Sequence, residues 1–407
     1  MGQATKVWHH RCLETNRWST PMQRNDLSRS FVAFDQNSTM VAVIELSFTN
    51  WLVSALVPGL ARTTLVGKKP DHEALLGLLN RWRNEGIKGG ATINRMVVAF
   101  EAGRDGFWLA RWLQARGIEV YVIHPTSIPV SREHRRAKSD RLDTELLMRA
   151  LLGWLRGERK HCSMVEIPTR EEEDARRSHR EHDTLVRERT RIVNRTKSIL
   201  VRFGVRKFDA KQRKAAERLG ELRIPEGGPL PPNTLAELRR EVEQLRFIGE
   251  QIKQIEKERE IRLKRAPREG THPMLLMLAQ ILGIGIETAD MLVHEVLTRN
   301  LRDERAVGRY AGMTGSPDES GSKRREKGMA RAGNARVRCG MIQLAWRWIR
   351  FQKESALTQW FAKRTAGDRK DVRKTMIVAV ARKLLIALWR YVKIGEVPAG
   401  ARLRAAA

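Results

Sequence analysis

The feature that most constrains the fold is a fully apolar run, Met96 to Phe100, that ends abruptly on the carboxylate of Glu101. Five such residues are too few for a buried helix and read as a strand. Phe31 to Asp35, Met40 to Leu46 and Trp51 to Val57 read as three successive strands before it, and Glu119 to Ile123 as one after it, ending at His124-Pro125. Between the strands, Leu75 to Arg83 and Gly106 to Arg116 carry helical spacing. Three strands followed by alternating helices and strands predict a mixed α/β sheet covered by helices. A helix over Asp140 to Leu155, with apolar positions at Leu142, Leu146, Leu147 and Leu151, closes this unit.

The rest of the chain reads as all-α. Thr169 and Glu172 form a capping box for a helix running to about Phe203, with Gly204 as its C′ residue. Its second half is basic, with Arg187, Arg189, Arg191, Arg195, Lys197 and Arg202. A Pro- and Gly-rich loop at 225–232 precedes a second long helix in which Leu235, Leu238, Val242, Leu245, Ile248, Ile252 and Ile255 recur at three- and four-residue steps. That coiled-coil spacing suits either a dimerisation arm or a helical hairpin packed on its own chain. The expected division is an N-terminal extension (1–28), an α/β domain (29–160), a helical linker or coiled-coil region (161–270), a helical C-terminal domain (271–395) and a tail (396–407).

The charge balance points to a polyanionic partner. Lys and Arg number 77 against 47 Asp and Glu, a formal charge of +30, which a folded body carries at some cost unless nucleic acid neutralises it. A hydrophobic content of 41% with 11 tryptophans argues against a wholly disordered basic protein, though charge alone also fits a ribosome-associated or merely soluble one. Cys12, Cys162 and Cys339 form no metal or disulfide pattern, so a reducing cytoplasm, with the chain associated with the nucleoid, is expected. The longest apolar stretch, Met376 to Trp389, is interrupted by Arg382 and Lys383, and no membrane partner is expected. Residues 1–28 show no signal-peptide pattern; they read either as a genuine arm or as an upstream extension.

Four carboxylates stand out. Asp35 ends the first expected strand, Glu101 follows the apolar one, and Asp140 and Asp143 share a helix face at i and i+3. Convergence of such acids would supply hard oxygen ligands for Mg²⁺ or Mn²⁺ and support in-line phosphoryl displacement; strand-terminal acids that simply cap or solvate are the plainer alternative. Lys138 and Arg141 stand where a phosphate needs partners.

The segments FVAFDQNS, VVAFEAGRDG and RRAKSDRLDTE resemble the three acidic motifs of the insertion-sequence 110 transposases, whose N-terminal domain is similar to RuvC-type, RNase H-like nucleases. The resemblance places the family's Asp-Glu-Asp-Asp set on Asp35, Glu101, Asp140 and Asp143.

Farther on, LAQILGIGIETADMLVHEV reads as two helices around a tight turn. Gly283 and Gly285 suit a helix-hairpin-helix grip on phosphate, or a plain corner that needs small residues. Tyr310 to Arg338 reads as a loop rich in Gly and Ser and then strongly basic, with Lys323, Arg324, Arg325, Arg331, Asn334 and Arg338 as candidate nucleic-acid contacts beside Arg187, Arg191 and Arg195. On residues alone this is a phosphate-gripping loop. The stretch resembles the C-terminal domain of the same transposases, with a Gly-Met turn, a Ser-Gly pair and a basic Gly-Asn-Arg segment. That implies Ser320 as nucleophile, with Ser316 and Ser322 as neighbouring registers. The resemblance further implies a transient phosphoserine link to DNA and a structured guide RNA. The acids and Ser320 lie far apart in sequence, so they must be brought together by folding or across a dimer or tetramer. Two other classes remain: a structure-selective nuclease needing the acids alone, and a non-catalytic nucleic-acid binder.

Overall fold

The computed structural model describes residues 34–61, 64–103, 106–128, 140–159, 161–320, 323–367 and 370–404, with only the backbone described at 126, 140, 316–320, 323–327 and 370–371. The chain divides into two compact units at residue 170.

The first unit is built on one mixed sheet. Its elements are β1 (Thr39–Leu46), β2 (Trp51–Leu56), β3 (Thr64–Lys68), α1 (His72–Lys88), β4 (Arg95–Glu101), α2 (Trp108–Gln114), β5 (Glu119–Ile123), α3 (Asp140–Leu155) and β6 (Met164–Val165). Strand order is β3-β2-β1-β4-β5-β6. The first three strands form an antiparallel meander, β1, β4 and β5 run parallel, and β6 is antiparallel at the edge. Alternation assigns the two faces: Met40, Ala42, Ile44, Val98 and Phe100 meet α1 and α2, while Val41, Val43, Val97 and Ala99 meet Leu147, Ala150 and Leu151 of α3.

The meander is shifted from the sequence expectation. Its third strand is β3, which the sequence reading missed; Phe34 and Asp35 are not in a strand, and residues 31–33 lie outside the described residues. β3 alternates half-buried and exposed positions over only five residues, Thr-Leu-Val-Gly-Lys, too weak a pattern to mark a strand by itself.

The second unit is mostly helical. It takes in α4 (Arg170–Ala175), α5 (Arg177–Arg202), α6 (Ala215–Glu221) and α7 (Pro232–Arg265), then α8 (His272–Ala279), α9 (Ile286–Leu292), α10 (Glu304–Tyr310), α11 (Ala335–Phe351), α12 (Ala356–Thr365) and α13 (Lys370–Ile394). The helix expected from 169 to 203 is broken at Arg176. The apolar stripe of α7 is used within the chain: Leu238, Val242, Leu245 and Ile252 pack with Ile192, Val193 and Leu200 of α5. A second core centres on Trp348 of α11 and on Val380, Leu384 and Leu388 of α13, so the apolar stretch near the C-terminus is a core helix. Among the described residues no helix is long and apolar enough to cross a membrane.

The expected loop over Tyr310 to Arg338 is instead a β-hairpin, β7 (Gly315–Ser320) and β8 (Lys323–Met329), between α10 and α11. Its residue types are poor strand formers, so composition alone concealed it.

Candidate functional site

The apolar strand β4 stops at Glu101, and its parallel neighbour β1 carries Glu45 one residue beyond Ile44, the partner of Phe100. Odd-numbered residues of both strands face α3, which puts Glu45 and Glu101 side by side on one face at the carboxyl ends of two parallel strands. Both are half-buried. α3 runs back over this face: beyond its C-terminal end, Arg156 donates from Nη2 to Gln36 Oε1 at 3.4 Å, at the amino end of β1. Its first turn, with Asp140 and the half-buried Asp143, therefore lies toward the end where Glu45 and Glu101 stand. His124 follows β5 at the same end; burial lowers its pKa.

Asp35 does not join this group. It lies in the exposed turn before β1, accepting from the amide of Asn37 at 2.9 Å and from Ser38 Oγ at 2.5 Å, and these two bonds hold its carboxyl below the usual range. β1 starts level with Arg95 and β4 ends at Glu101, so at about 3.3 Å per residue Asp35 is roughly 20 Å from the carboxyl ends. The expected convergence of Asp35 is corrected on that ground. Glu45 was missed, although its signal was legible: an apolar strand, Met40 to Ile44, capped by a carboxylate in the way Met96 to Phe100 is capped by Glu101.

Ser320 ends β7, paired across the hairpin with Lys323. Gly321 and Ser322 lie outside the described residues, as does Lys138. Ser316 falls in β7, and Lys323, Arg324 and Arg325 in β8.

The structure separates the remaining predicted contacts into free and engaged groups. Arg191 is exposed on α5. Arg195 instead grips Glu241 with two bonds of 2.7 Å, clasping α5 to α7, and Arg187 pairs with Asp183. Arg141 pairs with Glu145 at 3.4 Å. Arg338 reaches the carbonyls of Ala311 and Arg331, and Arg331 itself has a positive φ of 55°. Asn334 caps α11 through Oδ1, bonded to the amides of Arg336 and Val337. The turn at Gly283 is a closed corner: φ is 93°, an added Cβ would come within 3.2 Å of Phe351, and the amide of Leu282 is bonded to the carbonyl of Arg402 at 3.0 Å. Gly285 caps α9 beside it.

One other group among the described residues resembles a metal centre: His182, Glu256 and Glu287. Each imidazole nitrogen faces a different carboxylate, Glu256 at 3.1 Å and Glu287 at 3.5 Å, and Glu287 also pairs with Arg259. That is a polar bridge joining α5, α7 and α9.

Comparison with known proteins adds an independent line. Residues 276–360 match the family described as Transposase IS116/IS110/IS902, and residues 72–204 match the DEDD model of IS110 elements, described as a transposase. The candidate transposase y4rJ of Sinorhizobium fredii is 42% identical over 89% of this chain and 93% of its own length. The transposase for insertion sequence element IS1328 of Yersinia enterocolitica is 26% identical over 74% of this chain and 84% of its own.

Proposed function

The chain belongs to the IS116/IS110/IS902 transposase family, and from that premise we propose that it cuts and rejoins DNA with a carboxylate metal site and a serine nucleophile. The observation that carries the first half is the alignment of Glu45 and Glu101 on one face, at the end toward which the first turn of α3 brings Asp140 and Asp143. The strand order, with a three-stranded meander and two further parallel strands, supports an RNase H-like reading of this unit.

All four donors are carboxylates, the hard oxygen set that suits Mg²⁺ or Mn²⁺. Glu45 takes the place the motif reading gave to Asp35. Metal bound there would polarise the phosphodiester and stabilise the developing charge on its oxygens. The chain's own carboxylates would fix its position and compensate its charge.

In the second half, Ser320 Oγ forms a bond to phosphorus as the bond to the leaving deoxyribose oxygen breaks; the serine proton ends on that oxygen, leaving a phosphoserine diester and a free hydroxyl. Attack by a hydroxyl of another strand restores the serine and joins the DNA. The basic residues of β8 supply cationic charge to the same hairpin. A structured RNA encoded by the element is proposed as the guide, consistent with a net charge of +30 and the exposed Arg191. Action as a dimer or tetramer is part of the same reading.

The test is cleavage of labelled DNA carrying the element's junction, with Mg²⁺ and the candidate RNA, by the parent, Glu101→Gln and Ser320→Ala. The proposal expects both variants to lose joined product. Cutting by Ser320→Ala at the parental rate points instead to a nuclease that needs the acids alone. Parental activity in both variants overturns the chemistry altogether.

A further inference from the structure

The hairpin that carries Ser320 leaves the helical body at Tyr310 and returns at Asn334, and its neck is tightly closed. The amide of Asn334 donates to the carbonyl of Tyr310 at 2.7 Å, and the amide of Ala330 to that of Thr314 at 2.9 Å. Gly312, with φ of 65°, lies so near Ala332 that an added Cβ would be 2.5 Å from its carbonyl oxygen.

Beneath this neck lies a carboxylate with no exposed surface, Glu295. It accepts from His179 Nε2 at 2.9 Å, from Arg180 Nε at 2.7 Å and Nη2 at 3.1 Å, and from Asn334 Nδ2 at 2.9 Å. Burial alone raises its pKa, but the bonds from His179 and Arg180 outweigh it and hold the group well below the usual range. A charge so buried is retained only where its partners are fixed.

Asn334 is the joint. Its Oδ1 is committed to the amides of Arg336 at 3.0 Å and Val337 at 3.3 Å, so its Nδ2 is left facing Glu295 and the hydroxyl of Tyr310, 3.2 Å away. A carboxamide meets both demands. Aspartate keeps the helix cap but sets a second carboxylate against Glu295, and serine keeps the cap but is too short to reach it.

Resting on the assignment of Ser320 as nucleophile, we propose that Glu295 is a positioning residue for the serine hairpin, acting through the Nδ2 group of Asn334 to fix the hairpin's neck against α5. The reaction is sensitive to that neck because a nucleophile displaced by about 1 Å loses on the order of 100-fold in rate.

The experiment uses the full chain with Mg²⁺, junction DNA and the candidate RNA. It follows two readouts, hydrogen–deuterium exchange of residues 311–334 and the rate of covalent protein–DNA formation, in the parent, Asn334→Asp, Asn334→Ser, Ser320→Ala and the double variant Glu295→Gln with Asn334→Asp. In Asn334→Asp, neck exchange is expected to rise and covalent product to form at least about 10-fold more slowly, with DNA affinity unchanged. In the double variant the carboxamide introduced at position 295 donates to the carboxylate introduced at position 334 but gives up the bond from Arg180 Nη2 to the same atom, so both readouts recover in part. Asn334→Ser, which keeps the cap, loosens the neck in the same way and serves if the aspartate variant does not fold. Parental exchange and rate in a folded Asn334→Asp or Asn334→Ser protein overturn the inference, as does a double variant no better than the single. If Ser320→Ala still forms the covalent product, the nucleophile assignment fails separately while the exchange data still judge the neck.

Discussion

Replacing Asp35 by Asn and Glu45 by Gln distinguishes two placements of the first carboxylate that lie roughly 20 Å apart along the sheet. Asp35 is exposed and well beyond the screening length of about 8 Å at physiological salt from the carboxyl ends. Asn at 35 still offers its oxygen to the amide of Asn37, and its Nδ2 can donate to Ser38 Oγ, so the melting temperature should be that of the parent and cleavage should stay within about 2-fold. Glu45 sits one strand spacing, about 5 Å, from Glu101. Glu45→Gln keeps the side chain's size and removes one of the two neighbouring carboxylates, so it should slow metal-dependent cutting at least about 100-fold, through loss of a ligand carboxylate worth several kcal/mol to the transition state. Thermal unfolding in EDTA and in Mn²⁺, paired with cleavage rates, measures both variants. An inactive Asp35→Asn beside a fully active Glu45→Gln would refute the strand-register argument.

Arg191→Ala should weaken nucleic-acid binding and lower its salt slope by about 1, whereas Arg195→Ala should leave the slope unchanged and destabilise the α5–α7 pair by about 1–3 kcal/mol, since Glu241 loses its bidentate partner; salt titrations and urea unfolding separate the two. Because the folded-state pKa of Glu295 is depressed, its contribution to stability is complete above about pH 4.5 and declines progressively as pH falls toward the lower folded value. Urea midpoints from pH 3 to 7 should show that decline in the parent and a flatter profile in Glu295→Gln. Gly312→Ala should cost at least about 1–3 kcal/mol, from a strained positive φ and the close carbonyl of Ala332, and a parental melting temperature would contradict it.

Periodic segments were legible in the sequence. The expected span of α3 coincides with the observed helix, and β5 matches residue for residue, because strong apolar spacing fixes which face is buried. The acidic site was legible only in part. Glu101 and Glu45 each end an apolar run, but so does Asp35, after Phe31 to Phe34; what separates them is a long-range β1–β4 pairing that no local pattern contains. The same limit hid the hairpin, whose strands hold Gly, Pro and charged residues. Asn334, Arg338 and Arg195 look like phosphate contacts as members of basic runs, yet their partners, Glu295, the Arg331 carbonyl and Glu241, lie at sequence distances of 39, 7 and 46.

The central claim is most directly tested by locating the covalent bond. After reaction with junction DNA, Mg²⁺ and the candidate RNA, the protein–DNA species is digested and the nucleotide-bearing peptide sequenced by mass spectrometry. The account predicts a nucleotide on Ser320 in the parent and no such peptide from Glu101→Gln. Metal-dependent cutting with no covalent species, or a nucleotide carried on any other residue, would contradict it.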